Sequence, residues 1–222
     1  MAPSCIAIDG PVAVGKTTVG RLLAARLGYR FVDTGNMYRA LAWKALKLGI
    51  DPEDGPALTR LADETRLELP PEEGTEGGLV VDGEPVSTAL RTPEVERAVS
   101  PVARFPGVRR ALVEQQRRLA AHGGVVMAGR DIGTHVLPHA GLKVFLKASA
   151  RERARRRHGE VAAPGADPGY QSILADLARR DRIDSQRAVS PLRPAPDAVI
   201  IDTEGLTPKE VVDRICRLMS PA

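Results

Sequence analysis

The sequence predicts an α/β fold in which a parallel sheet is flanked by helices. Short apolar runs of strand length alternate with stretches of helical periodicity, and several helix starts carry recognisable capping patterns. The 222 residues include 43% hydrophobic and 27% charged ones, which is typical of a globular protein with one sizeable core. Alternation of strands and helices along the chain favours parallel pairing.

Five apolar runs are expected to form the strands, at residues 5–8, 30–32, 125–127, 143–146 and 198–201. Ser149 with Glu152 and Thr207 with Glu210 have the spacing of capping boxes, and Pro93 and Pro208 occupy expected first-turn positions of helices.

Two stretches interrupt the alternation. Residues 65–91 contain short alternating runs at 67–69, 79–81 and 86, with a turn at Asp82-Gly83, which predicts a small antiparallel insertion. Residues 159–169 are rich in glycine and proline and follow a cluster of five arginines between positions 151 and 157. This second stretch is predicted to be a short mobile lid that carries cations.

The strongest motif lies between the first predicted strand and an amphipathic helix. GPVAVGKT, residues 10–17, matches G-x-x-x-x-G-K-[ST], the P-loop of nucleoside triphosphate-binding proteins. Backbone N–H groups of such a loop surround a phosphate, the lysine bridges the β- and γ-phosphates, and the last hydroxyl binds Mg²⁺. The sequence therefore predicts a site for ATP and Mg²⁺, with Thr17 as the metal ligand, formed by Gly10, Pro11, Val12, Ala13, Val14, Gly15, Lys16, Thr17 and Thr18.

The chain is basic, with 32 Lys and Arg against 28 Asp and Glu. The basic residues form no long tract, and 3% aromatic residues supply little surface for stacking on bases, so small phosphates are favoured over a stable nucleic-acid partner. No apolar run approaches the ~20 residues of a membrane-spanning helix, and the N-terminus lacks the pattern of a signal peptide. A cytoplasmic monomer is expected, with Cys5 and Cys216 as reduced thiols.

Several arginines follow predicted strands or the predicted lid, namely Arg39, Arg130, Arg180 and Arg187. A kinase must hold an anionic acceptor, whereas a hydrolase must hold water. Because the carboxyl ends of parallel strands face the ligand crevice, Arg39 and Arg130 are expected to point toward the phosphate loop.

Four segments carry a family resemblance: FVDTGNMYRA, VSPVARFPGVR, AGRDIGTHVLPHAGLKVFL and RRDRIDSQRAVSPLRPAPDAVIIDT. Together they resemble bacterial cytidylate kinase over nearly the whole chain, including the inserted sheet. The resemblance implies a nucleoside monophosphate kinase that transfers the γ-phosphoryl group of ATP to CMP or dCMP. It also implies a single domain over 1–222, with a core at about 1–33, 106–150 and 186–222, an acceptor-binding region at 34–105, and the lid with its flanking helices at 151–185.

The resemblance also implies roles for single residues. It places the phosphate of CMP on Arg39, Arg130 and Arg187, the cytosine against Ser100, Arg109 and Asp131, the ribose near Arg180 and Asp184, and Thr34 in the acceptor pocket. The chemistry of Asp131 agrees with its role, since a carboxylate accepts from the N4 amino group of cytosine and repels the O4 of uracil.

The sequence departs from the family at three positions. Ala128 precedes the GRD motif, where the family often has Asp or Glu, and Asp33 is the nearest substitute for a carboxylate that orients waters around Mg²⁺. Ala13 and Thr17 stand where the family often has glycine. Ala13 therefore needs a backbone conformation that a Cβ tolerates.

Catalysis is expected to need cations and no general base. The second pKa of a phosphate monoester is about 6, so the acceptor is mostly dianionic at neutral pH. Mg²⁺, Lys16, Arg130 and Arg187 are predicted to stabilise the transferred phosphoryl group. Arg153 and Arg157, spaced i, i+4 on the helix before the lid, are predicted to be solvated and distant from the phosphate loop until the lid closes.

Two other interpretations stay open from the residues. The chain could be a P-loop kinase of another small acceptor, such as UMP, AMP or shikimate. It could also be a nucleotide-controlled RNA or protein binder that uses ATP as a switch. Measuring ADP release with a panel of acceptor nucleotides would distinguish the first interpretation from a CMP kinase. ATP turnover that is insensitive to CMP would indicate the second interpretation.

Overall fold

A computed structural model describes residues 4–70, 79–86, 88–161 and 169–219. The strands are β1 (Cys5–Asp9), β2 (Arg30–Asp33), β3 (Leu67–Glu68), β4 (Leu79–Val81), β5 (Glu84–Val86), β6 (Val125–Gly129), β7 (Leu142–Lys147) and β8 (Val199–Asp202). The α-helices are α1 (Lys16–Leu27), α2 (Thr34–Lys47), α3 (Gly55–Glu64), α4 (Pro93–Val102), α5 (Pro106–Ala120), α6 (Ala150–Val161), α7 (Tyr170–Gln186) and α8 (Pro208–Met219). A 3₁₀ turn at Thr88–Arg91 and a π turn at Ile132–Val136 complete the described elements.

The chain divides into two compact units, one formed by Met1–Arg30 with Gly124–Ala222 and the other by Phe31–Gly123. The larger sheet has five strands in the order β2-β6-β1-β7-β8. β1 pairs in parallel with both β6 and β7, and β7 pairs in parallel with β8. Each of the five predicted runs forms a strand, so the predicted parallel sheet is confirmed.

The central strands are apolar on both faces, and this accounts for their position. Ile6, Ala7 and Ile8 of β1 are completely buried, as are Val125 and Val126 of β6. Such continuous apolar runs are expected where helices cover both faces of a parallel sheet. Strand β1 ends at Asp9, and the chain then enters the predicted phosphate loop.

The second unit contains the small antiparallel sheet, in the order β3-β4-β5. Leu79 lies opposite Val86, and the turn residues Asp82 and Gly83 both have positive φ, as a tight type I′ turn requires. The predicted insertion is confirmed for the described residues. Positions 71–78 and 87, which the prediction also covered, lie outside them.

Local capping patterns set several helix starts. α4 and α8 begin at the predicted prolines, Pro93 and Pro208. Thr207 and Glu210 form a reciprocal capping box, in which Glu210 accepts from the Thr207 backbone N–H at 2.8 Å and the Thr207 hydroxyl accepts in return at 3.3 Å.

The predicted capping box at Ser149 is only half formed. The Ser149 hydroxyl accepts from the Glu152 N–H at 3.2 Å. The carboxylate of Glu152 binds Arg155 and Arg156 instead of reaching back, because two guanidinium groups on the same helix outcompete one backbone N–H.

Helices α6 and α7 flank the predicted lid, whose residues 162–168 lie outside the described part of the chain. None of the helices within the described ranges combines the length and the apolar character that crossing a membrane requires. Cys5 and Cys216 are free thiols.

Candidate active site

The phosphate loop occupies residues 10–15, between the end of β1 and the start of α1. A Cβ at Gly10 would lie 2.4 Å from the carbonyl oxygen of Leu146, so only glycine fits at the point where the loop leaves the sheet. Lys16 and Thr17 open the helix, which places their backbone N–H groups and the positive end of the helix dipole at the loop. The local structure is the one that the motif predicts.

Ala13 adopts the left-handed conformation, with φ of 59°. For a residue with a Cβ this conformation costs roughly 1–2 kcal/mol, which glycine avoids. Ala13 and Val12 pack against an apolar cluster of Ala154, Ile173 and Leu177. The methyl group of Ala13 therefore adds packing contacts, whereas a glycine at this position would adopt the left-handed conformation without strain.

Lys16 is directed into its own loop. Its Nζ donates to the carbonyl oxygens of Gly10 at 2.8 Å and Pro11 at 2.6 Å, and the residue is buried. Backbone oxygens hold the ammonium group without neutralising it. The positive charge that a triphosphate requires is thus kept at the loop.

Asp9 is a buried carboxylate that the sequence reasoning missed. Its Oδ1 accepts from the N–H of Ile132 at 2.8 Å and its Oδ2 from the N–H of Gly133 at 2.7 Å. Burial raises the pKa of Asp9 from 3.8 to about 6, although these two N–H groups and Lys16 oppose the rise. The one available signal was an acidic residue at the end of an otherwise apolar strand.

Five of the predicted acceptor residues lie in the unit that contains the phosphate loop: Arg130, Asp131, Arg180, Asp184 and Arg187. Arg130 Nε donates to Asp184 Oδ2 at 2.7 Å, and Arg187 pairs with Asp131 at 3.3 Å and with Asp184 at 3.9 Å. Burial alone would raise the pKa of Asp184, but Arg130, Arg187 and Arg180 outweigh it and hold that pKa below its usual value. The structure therefore joins these residues in one largely buried cluster of alternating charge.

The other four predicted acceptor residues lie in the second unit: Thr34, Arg39, Ser100 and Arg109. Arg39 Nε binds Glu96 Oε1 at 2.8 Å. Burial would lower the pKa of Arg39, but the carboxylates of Glu96 and Asp33 raise it. Glu96 was not anticipated from the sequence, because nothing in its spacing distinguishes it from a solvated helix residue.

Ser100, Thr34 and Arg109 are all buried. Arg109 donates to the carbonyl oxygen of Ala103 at 3.3 Å, and its guanidinium lies 5.5 Å from the centre of the Tyr38 ring. Ser100 is therefore not a hydroxyl on the solvent face of its helix.

The prediction that Arg153 is solvated and distant from the phosphate loop is wrong. Arg153 is 5% exposed, donates to the carbonyl oxygen of Val12 at 3.0 Å, and pairs with Asp181 of α7 at 2.7 Å. A carbonyl and a carboxylate together satisfy its planar donor fork, which makes burial of this charge tolerable. Arg153 is part of the wall of the loop.

Two neighbouring arginines of α6, Arg156 and Arg157, differ from each other in whether they contact the phosphate loop. Arg156 donates to the carbonyl oxygens of Val14 at 3.4 Å and Thr203 at 2.6 Å, contacts that the sequence reasoning missed. The side chain of Arg157 is 32% exposed and pairs with Glu160 at 3.2 Å. Of the two arginines predicted for the lid, only Arg157 remains partly open to solvent.

The donor set available for Mg²⁺ is small. Within residues 4–70, 79–86, 88–161 and 169–219, no group of three or more His, Cys, Asp or Glu side chains could hold a metal ion. Ala128 is buried in β6, and Oδ1 of Asp33 accepts from the Gly35 N–H as a cap of α2. A single hydroxyl such as that of Thr17 fits Mg²⁺, which keeps several waters and takes its other ligands from bound phosphates.

The parallel sheet, the phosphate loop between β1 and α1, and the buried arginine cluster define a P-loop kinase of the nucleoside monophosphate kinase class. A solved structure of shikimate kinase from Bacteroides thetaiotaomicron supports the fold, with a TM-score of 0.50 at 15% identity over 98% of each chain. The chain belongs to the cytidylate kinase family, whose model matches residues 6–221.

Two curated relatives match over nearly the full length of both chains. The cytidylate kinase of Geobacillus thermodenitrificans is 53% identical over 97% of this chain and 96% of its own. The cytidylate kinase of Geobacillus kaustophilus is 52% identical over the same shares. The family resemblance deduced from the four segments is thereby confirmed.

Proposed function

We propose that this protein transfers the γ-phosphoryl group of ATP to CMP or dCMP, giving ADP and CDP or dCDP in pyrimidine nucleotide metabolism. The observation that carries the proposal is the buried cluster in which Arg130 and Arg187 pair with Asp131 and Asp184. Such a cluster offers guanidinium groups to a phosphate and a carboxylate to an amino-bearing base within the unit that holds the phosphate loop.

The arginines suit the phosphate of the acceptor. The side chain of Arg187 is 6% exposed, so a phosphate that binds it leaves water and gains strong charge-assisted hydrogen bonds. The family resemblance supports Arg39 as a further guanidinium for the acceptor phosphate. Each of these arginines binds a carboxylate, so the acceptor phosphate must share or replace that partner.

Asp131 is proposed to select the base. The residue is buried, and a buried carboxylate that accepts from the cytosine N4 amino group repels the O4 of uracil strongly. Ser100 and Arg109 are proposed to make the remaining base contacts, Arg180 and Asp184 to hold the ribose, and Thr34 to line the pocket. Their support is the family relationship together with the burial of polar groups that have ligand chemistry.

The chain's own residues would perform the transfer by positioning and charge. The dianionic acceptor needs no base, so the residues must overcome repulsion between two polyanions. Lys16 holds positive charge at the donor phosphates, and Arg130 and Arg187 hold the acceptor. Arg157 is proposed to reach the transferred phosphoryl group. Mg²⁺, held by Thr17 and phosphate oxygens, would supply further charge when bound.

An acceptor panel tests this function. ATP consumption is measured by coupled ADP release with CMP, dCMP, UMP, AMP and shikimate in parallel, with Mg²⁺ and with EDTA. We expect turnover with CMP and dCMP that exceeds UMP and AMP and that is lost in EDTA. A preference for AMP or shikimate, or ATP turnover insensitive to CMP, would overturn the proposal.

We further propose that the protein acts in the cytoplasm, where both nucleotides are metabolised, as a monomer without a stable nucleic-acid partner. Size-exclusion chromatography with light scattering, run on the purified chain with and without a mixed oligonucleotide, tests the monomeric state and the absence of a stable nucleic-acid partner. A mass of about twice that of one chain, or co-elution with the oligonucleotide, would contradict them.

A further inference from the structure

One buried carboxylate joins the two segments on which the proposed reaction depends. Asp9 is the last residue of β1 and directly precedes Gly10 of the phosphate loop. Its two oxygens accept from the backbone N–H groups of Ile132 and Gly133 at 2.8 and 2.7 Å. With only 3% of its surface exposed, Asp9 makes these contacts out of reach of solvent.

The segment that Asp9 holds directly follows Arg130 and Asp131, two of the proposed acceptor residues. It forms the π turn Ile132–Val136. Such turns are rare in proteins overall, but many of those that occur lie at functional sites. Ile132 and Gly133 open this turn, so their N–H groups lack partners within it. Asp9 supplies the missing acceptors from 123 and 124 positions away in the chain.

The packing leaves the segment little freedom. A Cβ on Gly133 would lie 3.4 Å from Asp9 Oδ2 and 3.2 Å from Cδ of Lys143, so even a methyl group there would touch both side chains. Lys143 donates to the carbonyl oxygen of Pro138 and pairs with Asp197 at 2.8 Å. The turn is therefore held on one side by Asp9 and on the other by the stem of Lys143.

We propose that Asp9 is a positioning residue which, as a carboxylate, holds Arg130 and Asp131 in fixed register with the phosphate loop. The proposal rests on the proposed function for the roles of those two residues. The hydrogen bonds themselves do not depend on that function. Asp9 touches neither nucleotide in this scheme and acts through the π turn.

The electrostatic setting makes the ionised form costly at neutral pH. Burial, assisted by the charge of Asp131, raises the pKa of Asp9 to about 6, against the opposing effect of the two N–H groups and Lys16. The stem of Lys143 lies across Gly133. Because the folded-state pKa exceeds the unfolded value, the folded state binds the extra proton between about pH 4 and 6, and stability falls as pH rises through that window. A carboxylate retained at this cost suggests a use beyond stability.

The first test needs no nucleotide. In the ¹⁵N-labelled full chain, the amide resonances of Ile132 and Gly133 are followed from pH 4.5 to 8. We expect both to titrate with a common midpoint near 6 and to stop titrating in Asp9→Asn. Amide shifts of Ile132 and Gly133 in Asp9→Asn that match those of wild type at pH 8 would show that the Asp9 carboxylate does not hold the turn, and would overturn the proposal whatever reaction the protein performs.

The second test is kinetic and is run at pH 8, where CMP is fully dianionic. Asp9→Asn is expected to lower kcat/KM for CMP by about 10- to 100-fold, the scale of a misplacement near 1 Å, with the KM for ATP changed less than about threefold. The preference for CMP over UMP should shrink as well, a readout that a purely structural role would not move. Unchanged kcat/KM and unchanged preference would sink the proposal.

Matched variants keep the result interpretable. Asp54→Asn alters an exposed carboxylate that also accepts a backbone N–H, from Ala57 at 2.9 Å, and should leave all these parameters unchanged. If Asp9→Asn does not fold, Gly133→Val inserts a branched side chain between Asp9 and the stem of Lys143, which already lie 3.4 and 3.2 Å from a Cβ at this position, and should lower kcat/KM for CMP in the same way. Wild-type kinetics from Gly133→Val would contradict the proposal.

Discussion

Lys16 of the phosphate loop and the arginines of the proposed acceptor site are held by different partners. Lys16 donates to backbone carbonyl oxygens of the loop, and Arg153 and Arg156 donate to loop carbonyls while also pairing with Asp181 and Glu152. Arg39, Arg130 and Arg187 each bind a carboxylate. A carbonyl dipole orients a cation and leaves its charge in place, whereas a carboxylate neutralises it.

This difference indicates how the phosphate loop and the proposed acceptor site can bind two different polyanions, the triphosphate of ATP and the nucleoside monophosphate. At the loop, Lys16 is held by carbonyl oxygens and keeps its positive charge for a triphosphate. The acceptor cluster carries carboxylates that the proposed function uses a second time, Asp131 for the base and Asp184 for the ribose. Loss of Lys16 should therefore remove charge outright, while loss of a residue in the acceptor cluster should leave a partner unpaired and change selectivity.

The largest effect is expected at the loop. Lys16→Ala should lower kcat by about 10³-fold or more, because Lys16 is the one cationic residue within the motif at 10–17 and such a lysine bridges the β- and γ-phosphates. Coupled ADP release measures the rate, and circular dichroism measures retention of the fold. Lys47→Ala, an exposed lysine over the Trp43 ring, is the control and should behave as wild type. Near-full activity of Lys16→Ala would refute the phosphate-loop assignment.

Arg157 tests whether the exposed face of α6 acts in the transition state. Arg157→Ala should lower kcat by about 10²- to 10³-fold with a modest change in the KM for CMP, the pattern of a contact formed mainly in the transition state. Glu160→Ala removes the ion pair of Arg157 and should change kcat less than twofold. A raised KM at unchanged kcat would place Arg157 in ground-state binding, and no effect would make it a surface charge.

Substitution of Asp131 tests whether the carboxylates that pair with the acceptor arginines also recognise the nucleoside. Asp131→Asn keeps the shape but can donate to uracil O4, so the preference for CMP over UMP should shrink by about 1–3 kcal/mol, or roughly 5- to 150-fold in kcat/KM. Asp184→Asn should lower activity toward both nucleotides without changing their ratio, because the ribose is common to them. If the ratio does not respond to Asp131→Asn, another residue reads the base.

The smallest effect is expected at Ala13. Ala13→Gly relieves roughly 1–2 kcal/mol of left-handed strain. The loss of methyl packing and the greater entropy of the unfolded chain with glycine each destabilise the variant by up to about 1 kcal/mol. The free energy of unfolding in urea should change by less than about 1 kcal/mol. Ala13→Val, whose branched side chain tolerates positive φ poorly, should destabilise clearly. A stability gain for valine would contradict the strained geometry.

Several parts of the site followed from local patterns. The phosphate loop was predicted because strand, glycines, lysine and helix start are adjacent in the chain, so spacing alone specifies their geometry. Arg130 and Arg187 stand out by their positions after a predicted strand and the predicted lid, and the family resemblance adds Asp131, Asp184 and a role for each residue. Their mutual ion pairs required the structure, since Arg130 and Asp184 are 54 positions apart.

The sequence by itself determined the parallel sheet, the inserted hairpin, the helix starts and the loop chemistry, because periodicity, turn residues and caps act within a few residues of each other. Tertiary structure decided which charges are buried and by what they are held. Arg153 looked like a solvated cation in a run of arginines, yet folding places it against Val12, 141 positions earlier. Asp9 likewise gained its role from two N–H groups on a distant turn, and only packing, which is long-range and absent from local sequence, could bring them together.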